Sequence, residues 1–146
     1  MVFNPELVGT LLRYTLRNLP DDYQDLAIWR RSVRFITGQL AGGEAHPVIV
    51  PMTITDERYF TEIVGGLRAD GHQLAHVTLV ARPDTIQERM RTRNDQTTWA
   101  AAQVDRCIAT FDGRPLFREY VATDDQSVEV VAREVMKVIE GRPRST

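Results

Sequence analysis

A single cysteine, Cys107, occurs in the 146-residue sequence, so neither an intrachain disulfide nor a cysteine-rich zinc site can form. A chain so poor in cysteine suits a reducing compartment, and the cytoplasm is the expected location. No apolar run approaches the roughly 20 residues of a membrane span, and no signal peptide is read, so membrane insertion is not expected. Basic excess is missing too. The formal net charge is −2, which excludes a global cationic field for nucleic acid. His46, His72 and His76 are scattered without metal-ligand spacing, and no metal-binding residue is expected. No serine sits in a nucleophile elbow, and neither GxxxxGK[ST] nor GxGxxG occurs. What remains is 42% hydrophobic and 26% charged, the composition of one globular domain over residues 1–146.

The local patterns predict alternating elements. Asn4-Pro5-Glu6 reads as a helix start, with Leu7, Val8, Leu11, Leu12 and Leu16 as its apolar face. A longer helix carries Leu26, Trp29, Val33, Ile36 and Leu40 at spacings of three and four, with Arg30, Arg31 and Arg34 mostly on its other sides. Val48-Ile49-Val50, bounded by prolines, reads as a buried strand. Thr55 or Asp56 caps the next helix and Gly71 stops it. A second strand covers Leu74 to Val80. Pro83 opens a helix to about Arg93, and Thr97 or Thr98 caps another to about Phe111. Tyr120 to Thr123 forms a short strand, and Ser127 caps a last helix with Val128, Val131, Val135, Val138 and Ile139 inward. Strands alternating with helices imply a parallel α/β sheet covered on both faces. Val2-Phe3, directly before the first cap, reads as the stump of a further strand.

Two constellations carry chemistry. Arg89, Arg91 and Arg93 crowd the end of one helix. Guanidinium forks match phosphate oxygens at two points, and arginines on a lid neutralise charge in phosphoryl transfer. The helix dipole alone also favours cations there. On the following helix Trp99, Gln103 and Arg106 share one face, while Val104, Cys107, Ile108 and Phe111 occupy a core face about 120° away. The first face is a ligand surface, or a half-buried aromatic beside a surface ion pair. Asp124-Asp125 reads as turn chemistry.

Taken together, NPE before an apolar helix, DDYQDLAIWR, VIVPMTI, YFTEIVGGLRADG, HVTLVA, RMRTR, WAAAQVDRC and ATDDQSVEVVA resemble the tunicamycin-resistance proteins, a family of kinase-like P-loop nucleotide-binding proteins. The resemblance covers nearly the whole chain. It implies a three-layer α/β fold whose parallel sheet, with helices on both faces, runs in the order 2-3-1-4-5. Residues 89–111 would be its lid. The strand, Walker A loop and helix that begin this family have no counterpart here. The resemblance therefore implies a truncated form: strand stump two with strands three, four and five, but no central strand and no phosphate cradle. It implies a phosphate-contacting, catalytic role for Arg89, Arg91 and Arg93. Arg89 and Arg93, with Thr123 and Asp124, would contact the nucleotide. Trp29, Arg30, Thr53, Trp99, Gln103 and Arg106 would line the site of a nucleoside-like small molecule. ATP and Mg2+ are the implied cofactors, with normal ATP binding not expected from this chain by itself. A non-catalytic short module or remnant that holds a nucleoside-like ligand is the alternative. Open sheet edges offer a route to self-association.

Overall fold

The computed structural model describes residues 1–43, 47–93, 98–111 and 114–141, with the backbone alone for 98–101. The chain divides into two compact units, Met1–Leu74 and Ala75–Thr146.

In the first unit, Asn4 Oδ1 accepts from the Glu6 N–H at 3.0 Å and Pro5 holds φ at −64°. Those two local constraints start α1, Glu6–Thr15. A 3-10 turn, Tyr23–Asp25, leads into α2, Ala27–Gly43. The next helical run has three segments: α3 (Glu57–Phe60), a π-helical turn (Thr61–Gly65) and α4 (Gly66–Ala69). Asp56 caps it by accepting from the Arg58 and Tyr59 N–H groups, as the sequence predicts. Gly71 ends it at φ +86°, a left-handed conformation that a Cβ disfavours. There Gly71 N donates to Arg68 O, and His72 N to Leu67 O, the paired bonds of a Schellman stop.

Trp29, Val33, Phe60, Ile63, Val64 and Leu67 form the core of this unit, with Val8 and Leu12 of α1 against it. Gly9 lets α1 approach the Tyr23 ring, since a Cβ there would lie 2.7 Å from ring carbons. Arg30 departs from its expected outward position and is buried. Leu7 and Leu11 depart in the other sense, at 65% and 61% exposed. The strand stump is present only as an isolated bridge: Val2 pairs in parallel with Ile49, with Phe3 N donating to Ile49 O and Ile49 N to Met1 O, each at 2.9 Å, and Val48–Val50, expected as a buried strand, is reduced to this one bridge with Ile49 exposed.

The second unit holds β1 (Thr78–Val80) and β2 (Tyr120–Ala122), paired in parallel with Leu79 opposite Val121. The predicted strand from Leu74 shortens to its last three residues. Between the strands lie α5 (Pro83–Thr92), α6 (Thr98–Phe111) and a 3-10 turn (Pro115–Phe117); α7 (Val128–Glu140) follows, capped by Ser127. Phe117, Val121 and Val104 are its buried apolar side chains, with Phe111 edge-on to Phe117 at 5.1 Å. No residue of α7 is fully buried, and Val128 is 80% exposed rather than inward.

Each unit thus holds one short parallel pairing, an isolated bridge in the first and the two-stranded β1–β2 sheet in the second. In a parallel ladder alternate residues aim their backbone groups to opposite sides. Thr78 N and Val80 O bond toward β2, so the N–H and C=O of Leu79 face away, where no strand lies among the described residues. Likewise Ile49 bonds toward Met1 and Phe3, leaving the opposite edge to Val48 and Val50.

Candidate functional site

The carboxyl ends of strands are where open α/β sheets bind ligands. At that end of the β1–β2 pair, Thr123 and Asp124 follow β2, while Arg82 and Pro83 lead from β1 into α5. Arg89, two turns along α5, reaches back to the end of β2. Its Nη1 donates to Thr123 Oγ1 at 2.8 Å and its Nη2 to the Thr123 carbonyl at 2.6 Å. Thr123 is buried, and its hydroxyl donates to Val80 O at 3.1 Å. Asp124 closes the other side. Its Oδ1 accepts from the Thr85 hydroxyl at 2.6 Å and the Arg82 N–H at 2.9 Å, capping α5 from across the sequence. The Thr85 hydroxyl first, then the Arg82 N–H, hold the Asp124 carboxyl below its usual range. Asp125, at φ +52°, takes a 3.0 Å bond from Arg82 Nη2. This is the turn chemistry expected of the Asp pair, with a capping function added.

Arg89, Thr123 and Asp124 are thus brought together, tied to one another through α5 and the end of β2. Arg91 and Arg93 lie beyond them on the last turn of α5, both exposed. Arg91 pairs with Glu88 on its own helix. An exposed pair of this kind contributes about 0–1 kcal/mol, so it yields readily to a stronger anion. On α6, Arg106 is exposed. Gln103 is half-buried, and its Oε1 is enclosed without a hydrogen-bond partner among the described residues. The core face is as predicted, with Val104 buried and Cys107, Ile108 and Phe111 half-buried; burial pushes the Cys107 thiol up. The Trp99 side chain and the Thr97 or Thr98 cap lie outside the described residues, as does His46.

The remaining predicted residues gather in the first unit. Trp29 is 1% exposed, and its Nε1 donates to Pro5 O at 3.2 Å, so it packs the core and shows no open ring face. Arg30 lies beside it. Its Nε donates to Glu62 Oε2 at 2.6 Å and its Nη1 to Gln24 O at 2.5 Å, while its guanidinium carbon sits 4.1 Å from the Tyr59 ring centroid. Three favourable contacts account for a cation buried on a helix face. Tyr59 in turn donates to Asp25 Oδ1 at 2.9 Å; burial, then Asp25, raises the phenol above its ordinary range. Thr53 is exposed past the Ile49 strand, and its carbonyl accepts from Gln24 Nε2 at 2.9 Å. Sequence reasoning missed Tyr59, Asp25 and Glu62 around Arg30, and Arg82 and Thr85 around Asp124. Nothing in their spacing marks them, because each meets its partner only through the tertiary fold.

The donor set can be compared with the implied cofactors. The exposed guanidinium groups of Arg91 and Arg93 at the end of α5 have the chemistry that fits phosphate oxygens. The glycine-rich cradle and its lysine do not occur in the 146 residues, and no cluster of three potential metal-ligating side chains occurs among those described. Nor is any described helix long and apolar enough to cross a membrane.

Comparison with known proteins gives two findings. The profile of a family described as an AAA domain matches residues 8–114. Among solved structures, the fold is similar to the tunicamycin resistance protein of Deinococcus radiodurans, with a TM-score of 0.80 and 24% identity over 96% of this chain and 82% of that one. No curated protein matches the sequence.

Proposed function

The chain belongs to the AAA domain family, and on that premise we propose that it is a nucleotide-binding protein of the P-loop kinase-like type in which residues 89–111 are the lid over the phosphates of ATP. The observation that carries this reading is the division of labour among the three arginines. Arg89 is held by Thr123 and fixes the last turn of α5 to the end of β2. Arg91 and Arg93 are thereby presented on an ordered base with their guanidinium groups exposed. ATP would bring Mg2+ with its phosphates, and the bound nucleotide supplies the transferable phosphoryl group. The chain's own part is to place positive charge over the phosphates and exclude water.

The free edge at Leu79 supports the further proposal that the central strand and phosphate cradle are supplied by sequence outside these 146 residues. Gln103 and Arg106 on α6 are proposed to face a nucleoside-like acceptor, in keeping with the tunicamycin resistance named for the similar Deinococcus protein. In the first unit, taken by itself, Arg30 and Thr53 are proposed as contacts for a nucleoside-like molecule, and Trp29 would act only by supporting Arg30. A second reading, a non-catalytic module that holds a nucleoside-like ligand, is favoured by one observation: no Walker A motif occurs in the sequence.

Calorimetric titration with ATP and Mg2+ separates the two. The 146-residue chain is compared with a chain extended by the sequence encoded directly upstream of Met1. The lid reading expects weak binding, Kd on the order of 1 mM, by the shorter chain and at least tenfold tighter binding by the longer one. Equal affinities, or a stop codon directly upstream, would overturn it in favour of the second reading.

A further inference from the structure

The acidic turn before α2, Asp21-Asp22-Tyr23-Gln24-Asp25, is tied down from several sides within the first unit. The Tyr23 ring lies 5.3 Å from the ring of buried Trp29, and Gly9 leaves it room against α1. Asp22 caps the turn by accepting from the Gln24 N–H at 3.0 Å. Gln24 Nε2 donates to Thr53 O at 2.9 Å, and the Gln24 carbonyl accepts from Arg30, a side chain buried in the unit. A segment held this way presents its next side chain at a fixed point.

That side chain is Asp25. Carboxylates near it are neutralised, Asp56 by Arg58 at 2.9 Å and Glu62 by Arg30 at 2.6 Å. Asp25 forms no ion pair among the described residues. It is exposed, and only its Oδ1 is engaged, accepting the Tyr59 hydroxyl at 2.9 Å; Oδ2 has no hydrogen-bond partner among those residues. Tyr59 is itself fixed, its ring centroid 4.1 Å from the Arg30 guanidinium carbon. A neutral phenol orients a carboxylate without cancelling its charge, whereas an arginine would do both.

The chemistry of an oriented, un-neutralised carboxylate says what it holds. It only accepts hydrogen bonds, so its free oxygen takes a donor. Asp21 and Asp22 on the same turn add negative charge, which repels a phosphate group. Thr53, exposed and joined to the turn through Gln24, adds a hydroxyl that both donates and accepts. Together they suit a neutral, hydroxyl-bearing sugar. We propose that Asp25 accepts a hydrogen bond from a sugar hydroxyl of a nucleoside-like molecule, with Tyr59 as its positioning residue. The assignment rests on the reading of Arg30 and Thr53 as contacts for such a molecule, and adds the group that recognises its sugar.

Saturation-transfer-difference NMR on the whole chain in metal-free buffer tests this with uridine, whose base differs from that of ATP. Uridine is expected to bind with Kd on the order of 1 mM, and at least one of two analogues, lacking the ring hydroxyls or the primary hydroxyl, to bind about fivefold more weakly. Asp25→Ala should erase that difference, and Asp21→Ala, which removes the same charge from the same turn, should leave it intact. Tyr59→Phe should shrink the difference while binding of the weaker analogue stays unchanged, which general damage to the unit would not do. An unchanged far-ultraviolet circular dichroism spectrum confirms that each variant folds. Analogues that bind as tightly as uridine overturn the proposal. So does a difference that survives Asp25→Ala, or one that appears only when Mg2+ is added; these outcomes leave the nucleoside-like reading standing. Uridine that does not bind overturns that reading, and the proposal with it.

Discussion

Arg89 is the sharpest point at which an anchoring function can be told from a ligand function. Its guanidinium makes two charge-assisted bonds to Thr123, at 2.8 and 2.6 Å, and Thr123 is bonded on to Val80. A hydrogen bond from a charged donor contributes about 1.5–3 kcal/mol in a protected setting. Arg89 is half-buried, so water replaces part of each bond, and Arg89→Ala should cost about 2–3 kcal/mol in total. Arg89→Lys keeps the charge but cannot span both oxygens, and about half that loss is expected. With a urea slope near 2 kcal/mol/M, the alanine variant's midpoint falls by roughly 1 M. Urea titration followed by circular dichroism, without nucleotide, reads this directly. Arg91→Ala and Arg93→Ala should stay within about 0.5 kcal/mol of wild type in the same assay. An Arg89→Ala midpoint equal to wild type, with reduced ATP affinity, would refute the anchoring argument.

Trp29→Phe should lower stability by about 1–3 kcal/mol, because it removes the indole bond to Pro5 O and leaves a void in the core; a loss below about 0.5 kcal/mol would mean that the indole is not packed as described. Gly71→Ala should cost about 1–2 kcal/mol for forcing a Cβ into the left-handed region, measurable as a lower thermal midpoint with an unchanged ligand affinity. Asp124 gives a pH test. Its carboxyl sits below the ordinary value of 3.8, so its contribution is fully present above that pH and is lost as pH falls through the lower folded-state value. The stability difference between wild type and Asp124→Asn should hold from pH 7 to 5 and close below about pH 4; a difference unchanged at pH 2 would exclude the carboxylate as its source.

What was legible in the sequence was local. Asp56, Ser127, Pro83 and Gly71 act within a few residues of where they stand, so their capping and stopping could be read from chain order. The strand stump at Val2 was visible because a helix cap follows it directly. Periodicity did not reveal which side of a helix finds a partner. Leu7 and Leu11 were read as inward along with Val8 and Leu12, although α1 is apolar on two sides and only one meets the core. The valines of α7 likewise face a sheet with two strands among the described residues, too narrow to bury any of them fully. Arg30 was read as outward because a charge on a helix usually is. Burial became tolerable only through Glu62, Gln24 and Tyr59, from segments its helix position does not specify. The π-helical turn at Thr61–Gly65 left no trace in the apolar pattern at all. On α5 the arginine cluster was evident, but its split into one anchored and two exposed guanidinium groups depends on where β2 ends.

The proposed lid is tested most directly by the ratio of ATP to AMP affinity in the upstream-extended chain. Arg91 and Arg93 are proposed to meet the outer phosphates, which AMP lacks. Wild type should bind ATP at least tenfold more tightly than AMP, a difference of about 1.4 kcal/mol. The double variant Arg91→Ala, Arg93→Ala should keep its AMP affinity while that ratio falls toward one. A ratio that survives the double substitution would contradict the assignment of a nucleotide lid to this segment.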